Sequence, residues 1–163
     1  MRYLAAAVAI CLCLAFSSQA ALALDIEYPQ MIRTKYEAAD AKADIASALA
    51  EAQRAKVPLI VVFGANWCGD CKMLDSAFKS GASAPLIAKS FKVVKVNVGR
   101  FDRNVDIAES YGVPLKSGIP AVAILSDQGK VTYATRAGEL ADARKMGDDG
   151  VYEFFKKVSV QGK

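Results

Sequence analysis

From Val57 to Gly64 the chain is apolar at every position, a run too short for a typical helix and suited to a strand buried on both faces. On either side the pattern switches to a helical period. Upstream, between Glu37 and Lys56, Ile45, Ala48, Leu49 and Ala52 share one face, and Lys42, Asp44, Glu51 and Arg54 lie elsewhere. This predicts a covering helix. Downstream, Met73, Leu74, Ala77 and Phe78 form a second helical stripe that breaks at Ser80-Gly81. Ser83 and Pro85 are placed to restart a helical piece ending near Ser90. Val93 to Val98 is the next strand, and Asp102 or Asn104 can cap a short helix through Tyr111. Two more strands, Ile119 to Leu125 and Val131 to Arg136, flank the turn Ser126-Asp127-Gln128-Gly129. Val151, Phe154, Phe155 and Val158 then mark one face of a last helix. The order predicts an α/β chain: a βαβ unit with parallel strands, then an antiparallel hairpin and a helix. No repeat, low-complexity linker or second domain interrupts it.

The N-terminus follows another logic. Arg2, the apolar stretch Tyr3 to Phe16, the polar Ser17-Ser18-Gln19 and the A-x-A site Ala21-Leu22-Ala23 form the layout of a secretory signal peptide, with cleavage expected after Ala23. An apolar core of roughly 14 residues is short against the about 20 needed for a membrane span. Few polar residues interrupt Tyr3 to Leu24, so an uncleaved anchor is the alternative reading. The expected organisation is a signal peptide over 1–23, a lead-in over 24–36 without a clear period, and one domain over 37–163. Cys11 and Cys13 would leave with the leader. Ile10 and Leu12 precede them, where a lipidated cysteine would follow a small residue.

Cleavage of the 163-residue chain leaves about 140 residues, enough for one domain with its own core. The formal net charge of +4 is mild, and no Lys/Arg cluster resembles a nucleic-acid footprint. The sequence has no His, which removes imidazole as base, proton shuttle or metal ligand. The chemistry is concentrated in Trp67-Cys68-Gly69-Asp70-Cys71-Lys72, directly after the apolar strand. Cys68 falls at the strand-to-helix junction, where unpaired N–H groups and the helix dipole stabilise a thiolate. A second thiol follows one turn later. As a structural staple the pair would be poor, since closing so small a loop removes little entropy from the unfolded chain. Outside the cytosol, disulfides persist and thiols need a source of electrons. The spacing therefore points to dithiol–disulfide exchange.

The run Val62 to Lys72, with Trp67-Cys68-Gly69-Asp70-Cys71 at its centre, resembles the active-site segment of the thioredoxin family. Tyr111-Gly112-Val113 leading to Gly118-Ile119-Pro120 resembles that family's cis-proline loop, and the likeness runs from about Glu37 to the last helix. Within the family the chain is most similar to exported bacterial proteins carrying WCGDC. The resemblance implies a single thioredoxin-like domain, α/β, with a mixed central sheet and helices on both faces. It implies a periplasmic, monomeric thiol-disulfide oxidoreductase that needs no cofactor or metal. Its partners would be protein disulfides or dithiols and a membrane protein that supplies electrons. Cys68 would attack a partner disulfide and Cys71 would resolve the mixed disulfide. Pro120 would be cis, setting the Ile119 backbone beside Cys68 to pair with a substrate strand. Trp67 would wall the site, and Gly69 would permit close approach or simply make the turn.

The chain departs from the family pattern in places. Many thioredoxins carry a buried Asp at the position of Val62, where it helps deprotonate the resolving cysteine. Lys95 matches a lysine usually near that Asp; it either handles protons or is a snorkelling lysine at the strand end. Pro114-Leu115-Lys116-Ser117 and the segment 139–149 are longer than a minimal member needs. Asp70 bears on direction. A carboxylate beside the cysteines disfavours the thiolate, with Lys72 offsetting part of this. That favours a potential nearer thioredoxin's roughly −270 mV than the oxidising extreme near −120 mV. The opposing reading makes Asp70 only a solvated first-turn acid. A disulfide-donating oxidase, a two-thiolate metal carrier and a redox-inert peptide-binding module are the remaining alternatives.

Overall fold

In the computed structural model, which describes residues 40–161, Asp40 opens helix α1 (Ala41–Ala55). Its carboxylate accepts from the N–H groups of Lys42 and Ala43 at 3.0 and 3.3 Å, satisfying two donors that no helical turn can reach. Lys56 closes the helix in the left-handed region. The leader with its two cysteines, and the lead-in, lie outside the described residues.

The apolar run becomes strand β1 (Leu59–Gly64), buried at all six positions. Helices α2 (Gly69–Ser80) and α3 (Ser83–Ser90) follow, separated at Gly81, and lead to β2 (Lys92–Asn97). Helix α4 (Val105–Ser110) comes next, then β3 (Ala121–Leu125), β4 (Val131–Ala134) and α5 (Ala143–Gln161). The sheet order is β2-β1-β3-β4; β1 pairs parallel to β2 and antiparallel to β3, and β3 pairs antiparallel to β4. The mixed sheet read from the element order is therefore present. The hairpin turn closes with Ser126 and Lys130 hydrogen-bonded at 2.7 Å.

Alternation along the strands divides the core into two layers. Leu59, Val61 and Phe63 pack with Val94, Val96, Ala121 and Ala123 against α1 and α4. Ile60 and Val62 face the other way, with Val122 and Ile124, against Leu74 and Ala77 of α2, Ile87 of α3 and Val151, Phe155 and Val158 of α5. Helices thus cover both faces. A strand buried this way has no polar edge to show, which is why β1 reads as unbroken apolar sequence.

Two local details differ from the sequence expectation. Asn104 occupies the cap position of α4 but in the left-handed region and without a side-chain cap. Its Nδ2 donates instead to the Asn97 carbonyl at 2.8 Å, while Asp102 accepts from the Arg100 N–H at 2.9 Å. Helix α5 is broken at Gly147, whose φ of 67° no side-chain-bearing residue adopts cheaply.

Candidate active site

Cys68 is the N-cap of α2, in extended conformation, and its Sγ accepts from the Cys71 N–H at 3.1 Å. The sulfur therefore occupies the place where a capping oxygen would sit, facing the positive end of the helix dipole. Cys68 and Cys71 are joined as a disulfide, with Cα atoms 5.2 Å apart, and both are largely buried. The Ile119–Pro120 peptide is cis, and the Ile119 carbonyl oxygen lies 3.6 Å from Cys68 Sγ. The structure thus brings Cys68, Cys71, Ile119 and Pro120 together across 51 residues of chain.

Trp67 stands beside the disulfide, 53 % exposed, and its Nε1 donates to the Gly99 carbonyl at 2.8 Å. Phe101 packs edge-on against it with ring centroids 6.1 Å apart. Phe101 is itself 44 % exposed and has a φ of 67°, an unfavourable backbone for an aromatic residue. The loop is fixed by the Phe101 N–H to the Val98 carbonyl at 2.8 Å and the Gly99 N–H to Asn97 Oδ1 at 2.8 Å. An open groove of about 770 Å³ runs from Phe101 past Val105, Val113 and Leu115 to Gly118, with Lys116 and Arg136 on its rim. The only sequence hint of Phe101's place is a lone aromatic in a polar stretch.

Asp70 does not project as a bare carboxylate. Its Oδ1 accepts from the Arg144 N–H at 3.0 Å and its Oδ2 from Arg144 Nη2 at 3.1 Å, so the counter-charge is Arg144 of α5, where Lys72 was expected to offset it. The side-chain hydrogen bond from Arg144, then the backbone one, holds Asp70 below the usual carboxylate range against a smaller effect of burial. The same carboxylate raises Arg144. The guanidinium lies over Gly69: a Cβ there would meet its carbon at 3.2 Å. The close approach that Gly69 permits is occupied, in the free protein, by the chain's own arginine. The residues are 74 apart, and no local sequence signal links them.

Lys95 is neither solvated nor snorkelling. Its side chain is 16 % exposed and paired with Asp75 of α2, which also pairs with Lys79. Val62 and Lys95 are register partners on adjacent strands, so they share the face of the sheet that α2 covers. The carboxylate missing at Val62 is thus supplied to Lys95 by α2, one helical turn beyond Cys71. Burial brings Lys95 down to about 8, and the facing carboxylate favours its ammonium form. Asp75, at i+4 from Cys71, could have been read as a neighbour of the site from helical spacing alone.

Comparison with known proteins gives a consistent result. A family model described as thioredoxin-like matches residues 40–126. Thioredoxin 1 of Synechococcus elongatus is 33 % identical over 81 residues, covering 50 % of this chain and 68 % of that protein. A thioredoxin of Pseudomonas aeruginosa is 34 % identical over 91 residues, covering 56 % of this chain and 75 % of that one. Among solved structures, a disulphide isomerase from Xylella fastidiosa Temecula1 is 50 % identical with a TM-score of 0.72, covering 76 % of this chain and 94 % of that chain.

Proposed function

Because the chain belongs to the thioredoxin-like family and is a thiol-disulfide oxidoreductase, we propose that Cys68 and Cys71 are its exchanging pair, working from the reduced state on protein disulfides outside the cytosol. The observation that carries this reading is the placement of Cys68 Sγ at the cap of α2, 3.6 Å from the Ile119 carbonyl and beside exposed Trp67. In the reduced protein the Cys68 thiolate attacks the nearer sulfur of a client disulfide. A Cys68–client disulfide forms, and the client's other sulfur leaves as a thiolate and takes a proton. Cys71, losing its proton, then attacks Cys68 Sγ, restoring the intramolecular disulfide and releasing the second client thiol. Two electrons pass from protein to client.

Asp75, at i+4 from Cys71 on α2, pairs with the buried Lys95, and we assign the proton from Cys71 to that pair. The Ile119 backbone, held by cis-Pro120, receives the client as an added strand, and Trp67 covers it. The reducing direction rests on Asp70, whose charge withholds stabilisation from the thiolate, though its pairing with Arg144 blunts that effect. In this reading the N-terminal segment directs export to the periplasm, the protein works there as a monomer, and a membrane dithiol donor recharges it.

The equilibrium reduction potential in dithiothreitol and glutathione buffers tests the direction. A value near roughly −270 mV supports reduction or isomerisation, whereas one near −120 mV makes the protein a disulfide donor. Cys71→Ala should accumulate client mixed disulfides and Cys68→Ala should abolish turnover. The reverse pattern would exchange the two roles.

A further inference from the structure

Resting on the exchange reaction assigned to Cys68 and Cys71, we propose that Arg144 is a specificity residue: its guanidinium recognises a carboxylate on the client, within about two residues of the cysteine under attack. Arg144 is anchored at its base and open at its head. Leu140 and Ala143, just before it, are fully buried, and the Glu139 carboxylate accepts from the Arg136 and Ala137 N–H groups at 2.9 Å each, fixing the approach to α5. Asp70, 15 % exposed, holds the arginine by its backbone N–H and by Nη2. The side chain nevertheless remains 68 % exposed.

A guanidinium carries five N–H donors, and only Nη2 is engaged with Asp70. Among the described residues no other acceptor takes the remaining donors. They sit over Gly69, adjacent in sequence to the attacking sulfur. A client chain lying extended across the site advances about 3.4 Å per residue, so a side chain one or two positions from its cysteine is displaced along the chain on the scale of the step from Cys68 to Gly69. The groove that reaches Gly118, next in sequence to Ile119, carries Lys116 and Arg136 against one acid, Glu109. Its charge balance suits an acidic segment as Arg144 does. A preordered arginine loses less freedom on binding than a mobile one, which makes its contribution selective for shape as well as charge.

The test uses the full chain, reduced and freed of reductant, and three synthetic peptides closed by one disulfide. They are identical except for Glu, Gln or Lys two positions from one cysteine. Trp67 is the sole tryptophan and adjoins Cys68, so its fluorescence follows oxidation of the protein. The Glu peptide should react about two- to fivefold faster than the Gln peptide at low salt, and the Lys peptide more slowly. In Arg144→Gln the Glu/Gln ratio should fall to about one, and Arg144→Lys should keep part of it. Using the ratio cancels any general change in Cys68 reactivity. A ratio near one in the unaltered protein, or one unchanged in Arg144→Gln, overturns the proposal. Failure of the unaltered protein to reduce even the Gln peptide would instead overturn the exchange reading beneath it.

Discussion

Asp75→Asn isolates the effect of burying a lysine without its carboxylate. Burial takes Lys95 from 10.5 to about 8, and at about 1.4 kcal/mol per unit the ammonium is disfavoured there by about 3 kcal/mol. The pairing with Asp75 opposes this, with side chains 16 % and 24 % exposed. Water still reaches both groups, so the loss in Asp75→Asn should be nearer 2 kcal/mol at pH 7. The pH dependence gives a second reading of the same quantity. A lysine whose folded pKa lies below its unfolded value binds fewer protons when folded, so stability rises with pH between about 8 and 10.5. The Asp75→Asn deficit exists only while Lys95 is charged in the folded protein, so it should shrink as pH rises through about 8 and be gone by pH 10. Lys95→Met removes the buried charge and leaves Asp75 paired with Lys79, so it should lower stability by under about 1 kcal/mol. The double variant should resemble Lys95→Met, which makes the two single effects non-additive by about 2 kcal/mol. Urea unfolding at pH 7 and pH 10 measures all four proteins. Additive effects, or an Asp75→Asn deficit unchanged between the two pH values, would refute the reasoning.

Asp70→Asn leaves the Arg144 charge unopposed near Cys68, so the thiolate gains stability and the reduction potential should rise by about 10–30 mV in glutathione buffers; a fall would contradict the assignment of Arg144 as its counter-charge. Phe101→Gly should act in opposite senses on fold and function. Removing a side chain from a φ of 67° should raise stability by about 1 kcal/mol. Losing the ring beside Trp67 should raise the KM for protein disulfides several-fold with kcat little changed. Phe155→Ala deletes a fully buried ring stacked edge-on with Phe78 and Phe154 at 4.9 and 5.0 Å, and should lower stability by about 3–5 kcal/mol in chemical denaturation.

Legibility in the sequence followed the range of the interaction. Strand β1 was readable because burial on both faces forbids polar residues, and α2 and α3 because Ser80-Gly81 and Pro85 punctuate a 3.6-residue period. The cysteine pair was readable because its chemistry depends on neighbours in the chain. Partners from distant segments were not. Asp70 finds Arg144 across 74 residues, and a charge count near Asp70 points only to Lys72. Lys95 looked unpartnered because the expected carboxylate was sought on β1, whereas α2 crosses the same face and delivers one from Asp75. Phe101 was hidden for another reason: nothing in composition predicts an aromatic residue held at positive φ.

The turn before the cis peptide packs against the loop that leads from β4 to α5. Leu115 to Ser117 forms a short 3-10 turn with Leu115 buried, and Ser117 Oγ donates to the Arg136 carbonyl at 3.0 Å. At Gly138, with a φ of 77°, a Cβ would stand 2.3 Å from the Ser117 carbonyl oxygen, so the two loops meet backbone to backbone. Gly118 faces Ala141 with as little room, a Cβ there falling 2.6 Å from the alanine methyl. One end of this paired unit leads into the cis peptide that sets the Ile119 carbonyl beside Cys68. The other leads into Arg144, which holds Asp70 between the cysteines. The paired loops therefore join the residue whose carbonyl lies beside Cys68 Sγ to the residue that pairs with Asp70. A shift of the 136–141 loop would reach both at once, so insertions there should alter client choice and reduction potential together.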